Sequence, residues 1–485
     1  MIMLAAFALR LPGLSYSFYG DEWFSVIRDS ESLLTDTEDR FRPLFFSLLY
    51  LWQQIGFSGE LGLRLLPLLF GLLQVPLAYS IGSQLRSRDY GLLFAALIVV
   101  SPIMIEFSQE LRMYSMVACL ALLQVWLLLY LQRVSSWSGW LSFILVAVAG
   151  IYTHIFYWIF LMGISLSLLR SRPAIALWKS VGAMVIVVLL YLPNVYNLFA
   201  FTERRGADYA VHLPSALPKL FAAFTVGFNY FVLPDLGATR AVGWGIVQKN
   251  LLIALPVLVV GLLLVWGFLL AHKKQNRAAS LWFGHELFTI PVLIAAAASF
   301  MTGKYFLQPK YLIFSAPFLL LLLIESTRAL RAMSIRWSIA GLSALIVAVA
   351  FVHFTHPERY GRKENWRDVA HYLESEIRGN DIILTFRRLP QIKYYSEEAG
   401  RKMLVVEAPE QANSLTPLEK EKLSTIARDH DEIYFINWDT NQNAYDPHDH
   451  LPAALDRLIG EHAVRIFNPR MQIFVWKPPP AIETN

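Results

Sequence analysis

Cysteine is almost missing from this chain of 485 residues: Cys119 is the only one, and it sits inside an apolar run. No intramolecular disulfide can form, and redox chemistry is not expected. Charge is scarce too. Asp, Glu, Lys and Arg make up 16% of the chain, against roughly a quarter in soluble domains. Also lacking are an internal repeat, a low-complexity tract and a Gly-rich phosphate loop, so repeat architectures and a nucleotide site are not expected. Intrinsic disorder, a coiled coil and a disulfide scaffold are excluded by the same composition.

What replaces charge is apolar sequence, 56% of the residues, with a mean hydropathy of +0.45. It comes as one run after another up to about residue 355, after which charges crowd in. A spanning helix needs about 20 apolar residues. Windows of that kind fall at 2–18, 62–85, 90–107, 111–131, 140–153, 155–169, 181–199, 246–270, 286–302, 309–324 and 335–354. The first lacks the basic flank of a signal peptide and is expected to stay as a helix truncated at its start. Arg86 and Arg88, Arg133, Arg170 with Arg172 and Lys179, Lys273 with Lys274 and Arg277, and Arg328 with Arg331 and Arg336 fall in alternate loops. Those loops are therefore expected in the cytoplasm, and the formal charge of +5 reports orientation instead of nucleic-acid binding. Parity makes 43–55 a juxtamembrane or re-entrant helix on the outer face, because one more span would place the basic loops outside.

The tail from about residue 356 alternates patterns: helix 365–378, strand 381–386, helix 390–398, strand 403–406, helix 417–429, strand 432–437, helix 451–460, then strands 463–467 and 471–476. Such alternation predicts a small α/β layer with a mostly parallel sheet. The fold class is thus a polytopic α-helical membrane protein of about eleven spans with a C-terminal extracytoplasmic α/β domain. Residues 1–355 form the membrane body, with a large first outer loop at 19–61, and 356–485 the appended domain.

Chemistry is most legible at Tyr19-Gly20-Asp21-Glu22-Trp23-Phe24-Ser25 on the expected outer face. One carboxylate could take a proton from an acceptor hydroxyl as general base, and the other could hold a metal or an active-site cation. Aromatic neighbours suit a sugar, since they stack on its C–H face. Acidic residues that merely solvate an outer loop are the alternative. Asp446-Pro447-His448-Asp449-His450 carries metal-ligand types, yet its clustering around a proline reads as a solvated turn.

More of the chain agrees in order with a known pattern. Arg10-Leu11-Pro12-Gly13 closes the first span, and Gly20-Asp21-Glu22-Trp23 follows. Next come Arg42-Pro43-Leu44-Phe45-Phe46, Leu63-Arg64-Leu65-Leu66-Pro67, Ser108-Gln109-Glu110-Leu111-Arg112-Met113-Tyr114, Tyr152-Thr153-His154 and Gln308-Pro309-Lys310-Tyr311-Leu312. This ordered set resembles the polyprenyl-phosphate-sugar-dependent membrane glycosyltransferases of the C-type superfamily. The likeness is greatest to the family 39 group, which includes protein O-mannosyltransferases and lipid A aminoarabinose transferases. Leu111 departs from the usual Ala, and Lys310 replaces an Arg. The resemblance implies Asp21 as the catalytic base, inversion at the anomeric carbon, and a donor sugar on a polyprenyl phosphate.

The leaving group would then be a lipid phosphate, and fixed cations aimed at it stabilise the transition state. Lys310, at the outer end of an apolar span, is the first candidate, with Arg42 and Arg112 beside it. Snorkelling is the bland account of Lys310. Glu110 could pair with Arg112, His154 and Tyr311 could orient donor or acceptor, and Glu22 with Glu106 could bind a divalent cation, the only cofactor considered.

The function expected is transfer of a sugar from a polyprenyl-phosphate donor to an acceptor hydroxyl on the outer face of the cytoplasmic membrane. The acceptor is a glycan, lipid or protein, membrane lipids surround the body, and nucleic acid has no part. The absence of any Asn-x-Ser/Thr sequon favours a bacterial chain over an endoplasmic-reticulum one. Two rivals remain, a lipid or solute transporter without chemistry and an inactive envelope scaffold.

Overall fold

The computed structural model describes residues 1–26, 42–171, 177–204, 213–226, 279–304, 306–329, 364–386, 389–406, 417–438, 446, 449–468 and 471–478. The chain divides into two units. One holds Met1–Leu14 and Arg28–His356; the other joins Ser15–Ile27 to Pro357–Asn485.

The first unit is helical. Among the described residues, Gly59–Leu85, Tyr114–Leu131, Leu177–Asn197 and Trp282–Thr302 are long and apolar enough to cross a membrane. Arg88–Val100 with Pro102–Ser108 adds a fifth if a pair bent by 60° is one span, and Trp137–Thr153 and Tyr157–Arg170 are shorter apolar helices. Where Gly59–Leu85 meets Arg88–Val100, a Cβ on Gly82 would lie 2.7 Å from the Gly91 Cα. Only glycine allows that approach. The windows expected at 246–270 and 335–354, and the acidic loop residues 27–41, lie outside the described residues.

Two expectations change. The first helix is Ile2–Arg10 and stops there instead of continuing to residue 18, because Pro12 and Gly13 (φ +83°) follow. The run at 90–107 is broken at Ser101, an extended residue before Pro102. The runs at 140–153 and 155–169 are two helices, Trp137–Thr153 and Tyr157–Arg170, that meet at the extended residue His154, as expected. The stretch beginning at Pro43 is a helix, Pro43–Gln54, with proline in its first turn.

The break at Ser101 has a cost that Arg10 offsets. Pro102 has no N–H, so the Ile98 carbonyl has no donor four residues on. Arg10, fully buried, donates to Ile98 O at 3.1 Å, Val99 O at 3.2 Å and Ala6 O at 3.2 Å, and its Nε to Ser108 Oγ at 3.2 Å.

In the second unit β1 (Ile382–Thr385), β2 (Met403–Val405), β3 (Ile433–Trp438), β4 (Ala463–Asn468) and β5 (Met471–Trp476) form one sheet of order β2-β1-β3-β5-β4. The sheet is mixed, which corrects the expected mostly parallel one: β1 runs parallel to β2 and β3, while β5 is antiparallel to β3 and β4. Ile382, Leu384, Ile433, Phe435, Phe474 and Trp476 pack with Leu423, Leu451 and Leu455 of the helices Pro417–Asp429 and His450–Ile459. Side chains alternate faces along a strand, so Trp438 belongs to the opposite face from Phe435. There it meets Trp366 edge-on at 5.0 Å.

Arg10→Met keeps the apolar stem and removes the donors. Each buried carbonyl left without one costs about 1–3 kcal/mol, so the variant should lose thermal stability in detergent by several degrees. An unchanged Tm would show that the break is held by other contacts.

Candidate active site

Four segments of the helical unit bring their polar residues to one place. Arg42 is the residue just before the helix Pro43–Gln54, and one turn on lies Phe46, whose ring centroid is 5.8 Å from the guanidinium. Arg112 comes from the non-helical turn between Pro102–Ser108 and Tyr114–Leu131, is 3% exposed, and lies 5.8 Å from the same ring. Phe46 therefore serves two guanidinium groups, each in cation–π range. Lys310, half-buried, sits over its neighbour Tyr311 at 5.9 Å. Tyr311 stacks on Phe156 at 4.9 Å, and Phe156 touches Phe306 at 5.5 Å.

His154 lies at the centre. Its ring is 5.9 Å from Tyr311 and 6.2 Å from Tyr114, and it is 3% exposed. The Phe156 amide donates to His154 Nδ1 at 3.3 Å, so the proton of the neutral ring is on Nε2. Burial pushes the imidazole down from 6.5 to about 3, and the positive charges of Arg42, Arg112 and Lys310 push the same way. His154 is thus a neutral hydrogen-bond donor among three cations.

The carboxylates are placed differently. Glu106 is 7% exposed on the helix Pro102–Ser108, and Glu110 is half-buried in the next turn, where its carbonyl accepts from the Arg112 amide at 2.7 Å. Arg112 does not share a helical face with Ser108, as helix continuity would require, because the helix ends at Ser108. Ser108 instead donates to Met104 O and accepts from Arg10.

In the second unit Asp21 lies in a 3-10 turn, Gly20–Glu22, half-buried and not in the solvated loop expected of it. Glu22 is fully buried, and its carboxylate accepts the Tyr19 amide at 3.1 Å while its own amide returns to Tyr19 O at 3.1 Å. That reciprocal pair closes the turn. Asp446, read as part of a solvated turn, is fully buried and accepts the His450 and Leu451 amides at 2.8 Å each. Among the described residues no group of three or more His, Cys, Asp or Glu side chains is arranged for a metal ion.

Phe46 and Tyr114 stand in the motifs quoted from the sequence but were given no role there, and Phe156 was not singled out. Only the spacing of Arg42 and Phe46, four apart and so on one helix face, offered a signal.

No known family profile matches the sequence, and no curated protein sequence matches it. Solved structures do. The chain is similar to ArnT from Cupriavidus metallidurans in the apo state, with 12% identity over 98% of this chain and 97% of that one and a TM-score of 0.46. It is also similar to the archaeal oligosaccharyltransferase AglB from Archaeoglobus fulgidus in complex with an inhibitory peptide and a dolichol-phosphate. There the identity is 12% over 90% and 68% of the chains, with a TM-score of 0.48. The arabinofuranosyltransferase AftD from mycobacteria gives 12% over 99% and 41%, with a TM-score of 0.46. Likeness at this level concerns the path of the chain and says nothing of substrate.

The low pKa of His154 has a stability consequence. The folded value of about 3 lies below the unfolded 6.5, so the unfolded chain binds the extra proton as pH falls through 6.5 and stability drops. Between about pH 7 and pH 5 the loss should be about 2 kcal/mol. His154→Gln should flatten this part of the Tm-versus-pH curve in detergent; the same slope in both proteins would mean that the ring is accessible to protons.

Proposed function

We propose that this chain is a membrane glycosyltransferase using a polyprenyl-phosphate sugar, with transfer on the outer face of the cytoplasmic membrane. The observation that carries the reading is the convergence of Arg42, Arg112 and Lys310 around the buried, neutral His154. The donor is a phosphodiester with one negative charge, and the leaving polyprenyl phosphate carries up to two. Cations that meet this phosphate gain interaction energy as the bond breaks, which lowers the barrier instead of merely tightening binding.

In the reaction proposed, Asp21 takes the proton of the acceptor hydroxyl. The oxygen attacks the anomeric carbon, the carbon–oxygen bond to phosphate breaks, and its electron pair leaves with the lipid phosphate. Configuration inverts. The Nε2–H of His154 donates to a phosphate oxygen, and the apolar helices hold the prenyl chain. Tyr311, Phe156 and Tyr114 offer ring surface to the donor. The acceptor is an alcohol of a glycan, lipid or protein.

Two buried carboxylates weigh against the transporter reading, which needs ionisable groups available to cargo. Glu286 is held by Arg170 at 2.8 and 3.0 Å, and Glu325 by Arg86 at 3.0 and 3.1 Å. Both are committed ion pairs between helices.

Asp21→Asn keeps the shape but cannot accept a proton. General-base help of this kind is worth about 10²–10⁴ in rate, so the variant should insert and bind donor normally yet lose transfer by at least about a hundredfold. Transfer at the wild-type rate would remove Asp21 as base. Lys310→Met should weaken binding of undecaprenyl phosphate and slow transfer, the latter more because charge grows at the transition state. Unchanged binding and rate would return Lys310 to an interfacial anchor.

Orientation is tested with an impermeant thiol reagent on intact cells in a Cys119→Ala background. Cysteines placed at Asp39 and Asp439 should label, and one at Lys274 should not. The reverse pattern would put the site on the wrong face.

A further inference from the structure

The turn that carries Asp21 is built onto the C-terminal domain, and its anchors lie on both sides of the carboxylate. Gly20 has φ +51°, a left-handed conformation that side chains rarely adopt, and its amide donates to Glu364 Oε2 at 3.1 Å. The same oxygen accepts the Trp366 indole N–H at 2.8 Å. Trp366 is fully buried against Trp438 of β3, so the acceptor oxygen is held by the core of the sheet domain. Before the turn, the Phe18 amide donates to the Tyr395 hydroxyl at 3.2 Å, and the Arg367 amide donates to Ser17 Oγ at 3.3 Å. The Arg367 guanidinium adds Ser15 O at 3.2 Å. After the turn, Trp23 is 4% exposed and meets Phe18, Tyr394 and Tyr395 edge-on at 5.6, 5.5 and 5.7 Å.

A three-residue 3-10 turn does not hold its shape in water, since nucleation costs more than one or two hydrogen bonds return. Here the shape is imposed from outside. We infer that Glu364 and Tyr395 are positioning residues for Asp21, and that one role of the C-terminal domain is to hold the base-bearing turn in its reactive form. The inference rests on Asp21 being the base, and it adds residues distant in sequence, Gly20 and Glu364 being 344 apart and Phe18 and Tyr395 377. Neither Glu364 nor Tyr395 needs to touch substrate. Their contribution is geometric, and displacement of a reacting group by about 1 Å can cost as much as a hundredfold in rate.

The test uses the full-length chain in membranes and two readouts. Glu364→Ala removes the oxygen that Gly20 and Trp366 share, whereas Glu364→Gln keeps a carbonyl able to accept both. Tyr395→Phe removes the hydroxyl and leaves the ring against Trp23. Glu364→Ala and Tyr395→Phe should lower kcat by about tenfold or more with the donor KM little changed, and Glu364→Gln should restore most of the rate. The second readout is independent of catalysis. Ser25, 2% exposed beside the turn, is changed to cysteine in a Cys119→Ala background and labelled with a water-soluble thiol reagent. Labelling should be slow with Glu364 present and at least severalfold faster with Glu364→Ala.

Faster labelling together with the kcat loss and the Gln rescue supports the inference. Wild-type kcat in both Glu364→Ala and Tyr395→Phe overturns it, and so does labelling that Glu364→Ala leaves unchanged. A global folding defect lowers apparent kcat through the active fraction at unchanged KM, so kcat is referred to the folded protein recovered on gel filtration; a rate that returns to wild type on that basis counts against a positioning role. Failure of the underlying reading looks different: Asp21→Asn would then transfer normally, and the labelling arm alone would still report whether the domain holds the turn.

Discussion

A buried guanidinium holds the helical unit together where its helices are broken. Arg10 donates to the carbonyls of Ile98, which Pro102 leaves without its usual donor, and of Val99, at the helix break. Its neighbours extend the arrangement. Gln109 donates to Pro12 O at 2.7 Å and Arg10 O at 3.3 Å, and Arg64 donates to Leu14 O at 2.9 Å. Side chains from two other parts of the chain thus bind the carbonyls of residues 10, 12 and 14, where the first helix has ended. The turn after Ser108 delivers Gln109 to these carbonyls and Arg112 to the cation cluster, so scaffold and site share one short segment.

Charge in an apolar body is tolerated only where it is paired or has work to do. Arg86 with Glu325 and Arg170 with Glu286 show the first solution, each a bidentate pair that links two helices. Arg42, Arg112 and Lys310 are given work in the function proposed. They gather around a ring that their field and its own burial keep neutral, and the aromatic surfaces of Phe46 and Tyr311 lie under them. A diester that becomes a phosphate monoester is the kind of ligand such a cluster suits, because its charge rises during the reaction.

Much of this was legible in the sequence for physical reasons. Runs of apolar residues read as helices, and alternating short elements in the tail read as strands and helices with nearly the right bounds. Arg42, Arg112, His154, Lys310 and Tyr311 drew notice because they stand in the ordered motifs that resemble a known family, and for Arg112 also because ionisable groups close to the hydrocarbon are costly to keep. Other features were hidden because they depend on distant partners. Arg10 was noticed only as part of the motif that closes the first span, and nothing local shows that it caps carbonyls near residue 98. The β4–β5 hairpin could be read from the Asn-Pro-Arg turn, but the antiparallel pairing of β5 with β3 joins segments more than thirty residues apart. The docking of Gly20 on Glu364 is invisible at a separation of 344.

The central claim is that the cations around His154 receive a lipid phosphate, and a structure with the ligand in place tests it most directly. A cryo-EM map of the full chain in lipid nanodiscs with undecaprenyl phosphate should show headgroup density within hydrogen-bond reach of Arg42, Arg112 and Lys310, with His154 Nε2 facing a phosphate oxygen. Headgroup density elsewhere, with this cluster unchanged and empty of ligand, would contradict the account.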